Sequence, residues 1–481
     1  MVFTSPEFVL FCAVFFPAFF LLHYRYRWIW MLGASYFFYA FGSGAYVLLI
    51  VFSTFVDYTA ARLIENSENR GRRRLLLALS LATNLGVLFT FKYFNFFVGS
   101  FNAALDLMRI PHAAPTSSLL LPIGISFYTF QSMAYTIDVY RRVVPAERHA
   151  GIFATYIAFF PQLVAGPIER AANILPQLRQ RTAFNPERTI SGLRLILWGV
   201  FKKIVIADRL AIYVNAVYAE PRAYTGEPLI MATIFFAFQV YCDFSAYSDI
   251  AVGLARIMGI NLMLNFRQPF FARSVREFWS RWHISLSTWF RDYLYISIGG
   301  NRVAFPRYLL NLMIVFVVSG LWHGAAWTFV IWGALHGLYV VGEAMHARLN
   351  LPRLPRSPAG TLVGMAFTFT LVVFAFIFFR AASMSDALYI TGAWFQLGSF
   401  GEIAEPFAGG LMAPPAEFLF SIGLLAFLLF VDTLDARYGL EQIFERAPVL
   451  IRWSAYYTLG GLVMFSGLYG TGVQEFIYFQ F

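Results

Sequence analysis

The chain has 481 residues, of which 59% are hydrophobic and only 13% charged. Soluble domains carry about 25% charged residues, so a soluble enzyme is excluded, and at ~20 residues per span the apolar sequence suffices for about eleven to thirteen membrane helices. The net charge of +10 reads as the basic bias of cytoplasmic loops, not as a nucleic-acid partner.

Residues 8–22 are apolar and lack the positive flank and small-residue cleavage site of a signal peptide, so they read as a retained first span. Arg25 and Arg27 follow, which places that loop in the cytoplasm and the N-terminus outside. Residues 28–41 then lead out to the uncharged turn Gly42-Ser43-Gly44, and 45–61 return to a loop holding Arg62, Arg70, Arg72, Arg73 and Arg74. Residues 75–98 go out, and 119–140 come back to Arg141, Arg142 and Arg148.

Residues 151–165 are apolar but short, and end in Pro161 and Gly166-Pro167 with arginines on the same side. A re-entrant segment buried in protein fits them. The alternative is a short tilted span that inverts the later topology. Residues 190–217 carry Arg194, Lys202, Lys203, Asp208 and Arg209. Each charge would cost about 2.5–3.5 kcal/mol at a bilayer centre, so this helix must face protein, water or the interface. A strong span at 229–258 precedes a polar and aromatic stretch, 261–307. Two apolar legs, 308–322 and 326–346, return to Arg348, Arg353 and Arg356, with further spans at 359–379, 416–431 and 453–470. The loop 380–415, with Glu402 and Glu405, lies outside. No repeat or linker divides the chain, so 1–481 reads as one all-α, polytopic membrane domain.

Three segments carry candidate chemistry. In 273–293, Val275, Phe278, Trp282, Leu286, Trp289 and Tyr293 recur at helical spacing and predict an apolar stripe. Arg276, Ser280, His283, Ser287 and Arg291 fall on the opposite, polar stripe. A plain interfacial helix with headgroup arginines would show the same period and leave His283 incidental. The second segment sets His323 after Trp322 and between Gly320 and Gly324, small residues that admit another backbone or a substrate. An ionisable residue at membrane depth points to function, although a structural donor remains the plain alternative. His336, thirteen positions on, is expected to pack or cap. The third segment is 239–249, where Asp243 and Tyr247 share a helix face. Its carboxylates would orient a histidine, bind a cation, or pair with the basic residues near Lys202.

No nucleophile elbow, phosphate loop, dinucleotide fingerprint or zinc-protease motif occurs. Cys12 and Cys242 have no metal or redox spacing, and neither a bound metal nor a disulfide is expected. What remains is imidazole, able to take a proton from an alcohol as it attacks an acyl group.

At these residues the sequence resembles the membrane-bound O-acyltransferase superfamily, and within it the bacterial branch that acetylates polysaccharides such as alginate. The resemblance rests on LPIGISFYTFQSMAYTIDVYR (121–141), FPQLVAGPIER (160–170), YCDFSAYSDIAVGL (241–254), FWSRWHISLSTWFRDYLYISIGGNR (278–302), GLWHGAAWTFVIWGALHG (320–337) and FIYFQF (476–481). It places a signature core at roughly 119–346. Ala246 stands where the family often has glycine. The resemblance implies a helical core with a funnel that thins the barrier around an essential histidine, here His323. The second family histidine falls on His283; in lipid- and peptide-modifying relatives asparagine is common there. It implies acetyl-CoA, or another acyl thioester, as a cytosolic donor substrate with no bound cofactor. Arg281 and Arg291 would hold the donor phosphates, and Asp243, Tyr247, Ser287 and Trp322 would line the substrate site. The bacterial branch implies a multi-pass inner-membrane protein, whose outside N-terminus would then be periplasmic, and a periplasmic acetyltransferase partner that esterifies the polysaccharide.

Two rival readings stay open. One is D-alanyl or other acyl transfer to teichoic acid, lipid or protein. The other is a transporter of acyl donors, against which stands the lack of interrupted helices at matching positions in two halves.

Overall fold

Helix formation starts with a capped proline. In the computed structural model Ser5 accepts from the Phe8 N–H at 3.2 Å, and Pro6 opens α1 (Pro6–Leu21). The structure describes residues 1–111, 114–352, 354–355, 357–396, 398, 403–469 and 476–477. Arg353, Arg356, Glu402 and residues 478–481 lie outside them. Helices follow at α2 (Arg27–Ser43), α3 (Val47–Glu65), α4 (Arg70–Leu88), α5 (Phe94–Leu107), α6 (Ile125–Tyr140), α7 (Ala150–Ala158), α8 (Phe160–Leu163) and α9 (Ala171–Leu178). The chain continues through α10 (Pro186–Phe201), α11 (Asp208–Ala219), α12 (Glu227–Met258), α13 (Val275–Arg281), α14 (Ile284–Trp289), α15 (Phe305–His323) and α16 (Trp327–Arg348). Last come α17 (Pro358–Arg380), α18 (Met384–Ala393), α19 (Pro414–Tyr438), α20 (Leu440–Arg446) and α21 (Val449–Ser466). Among the described residues there is no strand.

The chain divides into two units, Met1–Arg194 with Ile250–Met263, and Leu195–Asp249 with Leu264–Phe481. In the first, α2 and α3 meet at Gly44, whose φ of +53° suits glycine. The α3, α4 and α6 helices pack together as one group. Gly124, at φ +74°, brings the start of α6 against the backbone of Leu163, where a Cβ would stand 2.9 Å from the carbonyl oxygen. The 151–165 segment forms no continuous span. It breaks at Phe159 into helices of nine and four residues, and residues 156–165 are all buried. Its backbone is thus irregular only inside protein, as a low-dielectric surrounding requires.

In the second unit a wide π-type turn, Lys202–Ala207, leads into α11. It gathers the charges that a bilayer would reject. Lys202 pairs with Asp249 at 2.8 Å, and Lys203 with Asp208 at 2.8 Å and Asp243 at 2.9 Å. Arg209 and Glu417 form a further pair, both fully buried. The helix faces protein, and its charges are neutralised there.

Seven helical stretches among the described residues are long and apolar enough to cross a membrane, and the longest, Tyr24–Glu65, contains both α2 and α3. A second stretch, Arg70–Leu107, likewise contains both α4 and α5, so seven stretches hold more than seven helices. Shorter helices hold further apolar sequence, among them α1 and α6, each of 16 residues.

Candidate active site

The segment around His283 is not one helix. Ser274 caps α13 by accepting from the Glu277 N–H at 3.1 Å, and Glu277 reaches back to the Arg273 N–H at 2.9 Å. Glu343 of α16 takes the next two N–H groups, of Val275 at 2.5 Å and Arg276 at 3.2 Å. The helix then stops. Trp282 is extended and His283 takes a left-handed conformation, φ +43°, before α14 begins. Asn265 holds this corner: its carbonyl oxygen accepts the Ile284 N–H at 2.9 Å, and its side chain bonds Ser285 at 2.6 Å and Ser248 at 3.0 Å. The apolar positions Val275, Phe278, Trp282, Leu286, Trp289 and Tyr293 are buried as their period predicts. His283 does not share the fate of the polar stripe. The break turns its ring inward, and it is 0% exposed while Arg276, Ser280 and Arg291 are exposed.

His323 is the last residue of α15. Close contact between α15 and α16 sets its position. A Cβ on Gly320 would lie 2.3 Å from the Phe329 carbonyl oxygen, and one on Gly333 would lie 2.4 Å from that of Phe316. Only glycine at both crossing points lets the backbones approach this far. The His323 ring packs edge-on to Trp322 at 5.0 Å and Trp332 at 4.9 Å between centroids, with Phe379 at 5.6 Å. The His283 ring meets Phe244 at 4.6 Å and Trp322 at 5.9 Å.

The two imidazoles, forty residues apart in sequence, stand 6.3 Å apart between centroids. Trp322 touches both. His323 is 3% exposed, and its ring sits in an aromatic enclosure. His336 packs as expected: it accepts from Trp279 Nε1 at 3.2 Å and lies 4.9 Å from the Trp332 ring.

The other candidates divide. Ser287 donates to the Trp282 carbonyl at 3.2 Å and so closes the corner beside His283. Tyr247 stacks near Phe476 at 4.9 Å. Asp243, besides Lys203, accepts from the Ile477 N–H at 2.7 Å. Of the three roles open to its carboxylate, pairing with buried basic residues is the one the geometry displays. Arg281 is paired with Glu277 at 2.7 Å, and Arg291 with Asp292 at 2.7 Å, both on partly exposed side chains. Among the described residues no three His, Cys, Asp or Glu side chains group as metal ligands. Asn265, Glu343 and Phe379 were not singled out in the sequence; only Asn265 carries a local signal, as a polar residue in an irregular stretch before a helix.

The pairing makes Asp243→Ala a test of role. Removing one partner of a buried ion pair costs about 3–5 kcal/mol, so the variant is expected to melt well below the wild-type protein in detergent. An unchanged melting midpoint with lost activity would return Asp243 to a substrate-binding role.

A capped break that buries one histidine beside a second, within an all-helical membrane protein, defines a candidate acyl-transfer centre. Residues 149–385, which hold both histidines, match the model of the MBOAT, membrane-bound O-acyltransferase family. The chain is 40% identical over 405 residues to the probable alginate O-acetylase AlgI of Pseudomonas putida, covering 83% of this chain and 81% of that protein. It is 34% identical to the peptidoglycan O-acetyltransferase of Helicobacter pylori, covering 75% and 72%, and 27% identical to the teichoic acid D-alanyltransferase of Streptococcus thermophilus, covering 62% and 77%. The chain belongs to the membrane-bound O-acyltransferase family, and it is an O-acyltransferase.

Proposed function

We propose that this protein moves acetyl groups from a cytosolic thioester, acetyl-CoA, across the bacterial inner membrane for O-acetylation of an exopolysaccharide such as alginate. His323 is the catalytic base. It takes the proton of the acceptor hydroxyl as the oxygen attacks the thioester carbonyl. The C–O bond forms, the C–S bond breaks, and the proton passes to the departing thiolate. His283 shares the site and orients or relays. The N-terminus lies in the periplasm, and a periplasmic acetyltransferase receives the acetyl group and esterifies the polymer.

The observation that carries this reading is the placing of the two signature histidines 6.3 Å apart within one aromatic enclosure. Water exclusion by that enclosure strengthens any hydrogen bond made to the reacting oxygen. With His323 so buried, reactants reach it by displacing side chains of the enclosure. The longer and closer similarity to O-acetylases favours acetyl over D-alanyl as the group transferred.

The test is mass spectrometry of the exopolysaccharide from a strain lacking the gene, with and without the gene restored. Loss and recovery of acetyl esters support the reading; an unchanged ester content overturns it. For the donor end, Arg281→Ala and Arg291→Ala are expected to raise the KM for acetyl-CoA in membrane vesicles more than they lower kcat. Unchanged donor saturation in both would remove the arginines from donor binding, as their pairing with Glu277 and Asp292 would then explain them fully.

A further inference from the structure

The acyl-transfer reading makes no use of a polar pocket in the first unit. Asp57 of α3 is fully buried within a membrane helix group. Its carboxylate accepts from Ser80 at 2.6 Å and from Asn84 Nδ2 at 2.9 and 3.0 Å, both on α4, and from Thr136 of α6 at 3.5 Å. Every one of these donors is neutral. Among the described residues no lysine, arginine or histidine forms an ion pair with Asp57. It therefore differs from Asp243, Asp208 and Asp249, each of which has a lysine. Buried charges are paired or coordinate metals, and an unpaired carboxylate at membrane depth is expensive.

A second observation bears on the same place. The Ser132 hydroxyl of α6, within reach of the Asp57 carboxylate, is buried and has no hydrogen-bond partner of acceptable geometry. The amide oxygen of Asn84 is in the same condition. So is the Ser53 hydroxyl, one helical turn before Asp57 on the same face. All three residues are at most 1% exposed. The pocket thus combines one negative charge with a surplus of oxygen acceptors. A half-turn of the Asn84 amide would add its oxygen to the set.

We propose that the Asp57 pocket between α3, α4 and α6 binds a monovalent alkali cation through the Asp57 carboxylate, Asn84 Oδ1 and the hydroxyls of Ser80, Ser132 and Thr136. The charge argues for a monovalent ion: a single carboxylate balances it, and the remaining ligands are neutral hard oxygens of the kind such cations take. A bound proton would cancel the charge too, but it would leave the surplus acceptors unsatisfied. The ion ties three helices together at membrane depth.

The experiment uses the full chain in detergent at constant pH and ionic strength, exchanging choline chloride for sodium chloride. The wild-type melting midpoint is expected to rise with sodium and saturate, since an ion that binds only the folded state stabilises it by mass action. Asp57→Asn is expected to abolish the response. If that variant does not fold, Ser132→Ala, which keeps the carboxylate, is expected to raise the half-saturating sodium concentration about tenfold, a loss of about 1.4 kcal/mol. A wild-type midpoint indifferent to sodium overturns the proposal. So does a sodium response unchanged in Ser132→Ala and Asp57→Asn.

Discussion

Exopolysaccharide from a strain carrying His323→Ala is expected to contain no acetyl ester above the level of a gene deletion, while the protein still inserts in the membrane. General-base assistance contributes about 10²–10⁴-fold to a rate, and a loss of that size takes ester formation below detection in a growing culture. The alternative, that His323 is a structural donor in an aromatic box, predicts something different. A structural histidine replaced by alanine would lower protein level or melting temperature and leave specific activity per folded molecule intact. Mass spectrometry of the polymer, normalised to folded protein in the membrane, separates the two. Wild-type ester content in the variant removes His323 from the mechanism.

A methyl group at Gly320 should do nearly as much harm without touching an imidazole. In Gly320→Ala the new Cβ would sit 2.3 Å from the Phe329 carbonyl oxygen and 3.1 Å from the Gly333 Cα. Both neighbours are backbone and neither can step aside, so α15 and α16 must separate. Overpacking of this kind costs about 1–3 kcal/mol. The larger effect is geometric, because His323 lies three residues on and takes its position from this crossing. A displacement near 1 Å can cost about 10²-fold in rate. Gly342→Ala on α16 is the control: a Cβ there meets nothing within 4 Å, and the substitution gains about 1 kcal/mol of helix propensity. Acetylation should fall sharply in the first variant and stay at wild-type level in the second. Equal activity in both would mean that the crossing does not position the histidine.

The sequence was most legible where composition and charge act alone. The excess of apolar residues leaves no alternative to membrane helices, and the charges at Lys202, Lys203, Asp208 and Arg209 demand the protein surroundings they have. The break in 151–165 was readable from Pro161 and Gly166-Pro167. The period of 273–293 placed the apolar side chains correctly, because burial at Val275, Phe278 and Trp282 tolerates a broken helix. It misplaced His283, because no local residue announces the break. The corner is built by Asn265, eighteen positions upstream, and such a tertiary contact leaves no periodic trace. The pairing of His283 with His323 was likewise beyond periodicity. It depends on Trp322 and on glycines whose partners lie across a helix crossing.

The left-handed corner at His283 also restricts which amino acids evolution can install there. Among residues other than glycine, asparagine enters that region of backbone space most readily. His283→Asn would therefore remove the ring chemistry while keeping the peptide bend. Alanine scanning at this site would confound lost imidazole with torsional cost, whereas an asparagine replacement isolates the former.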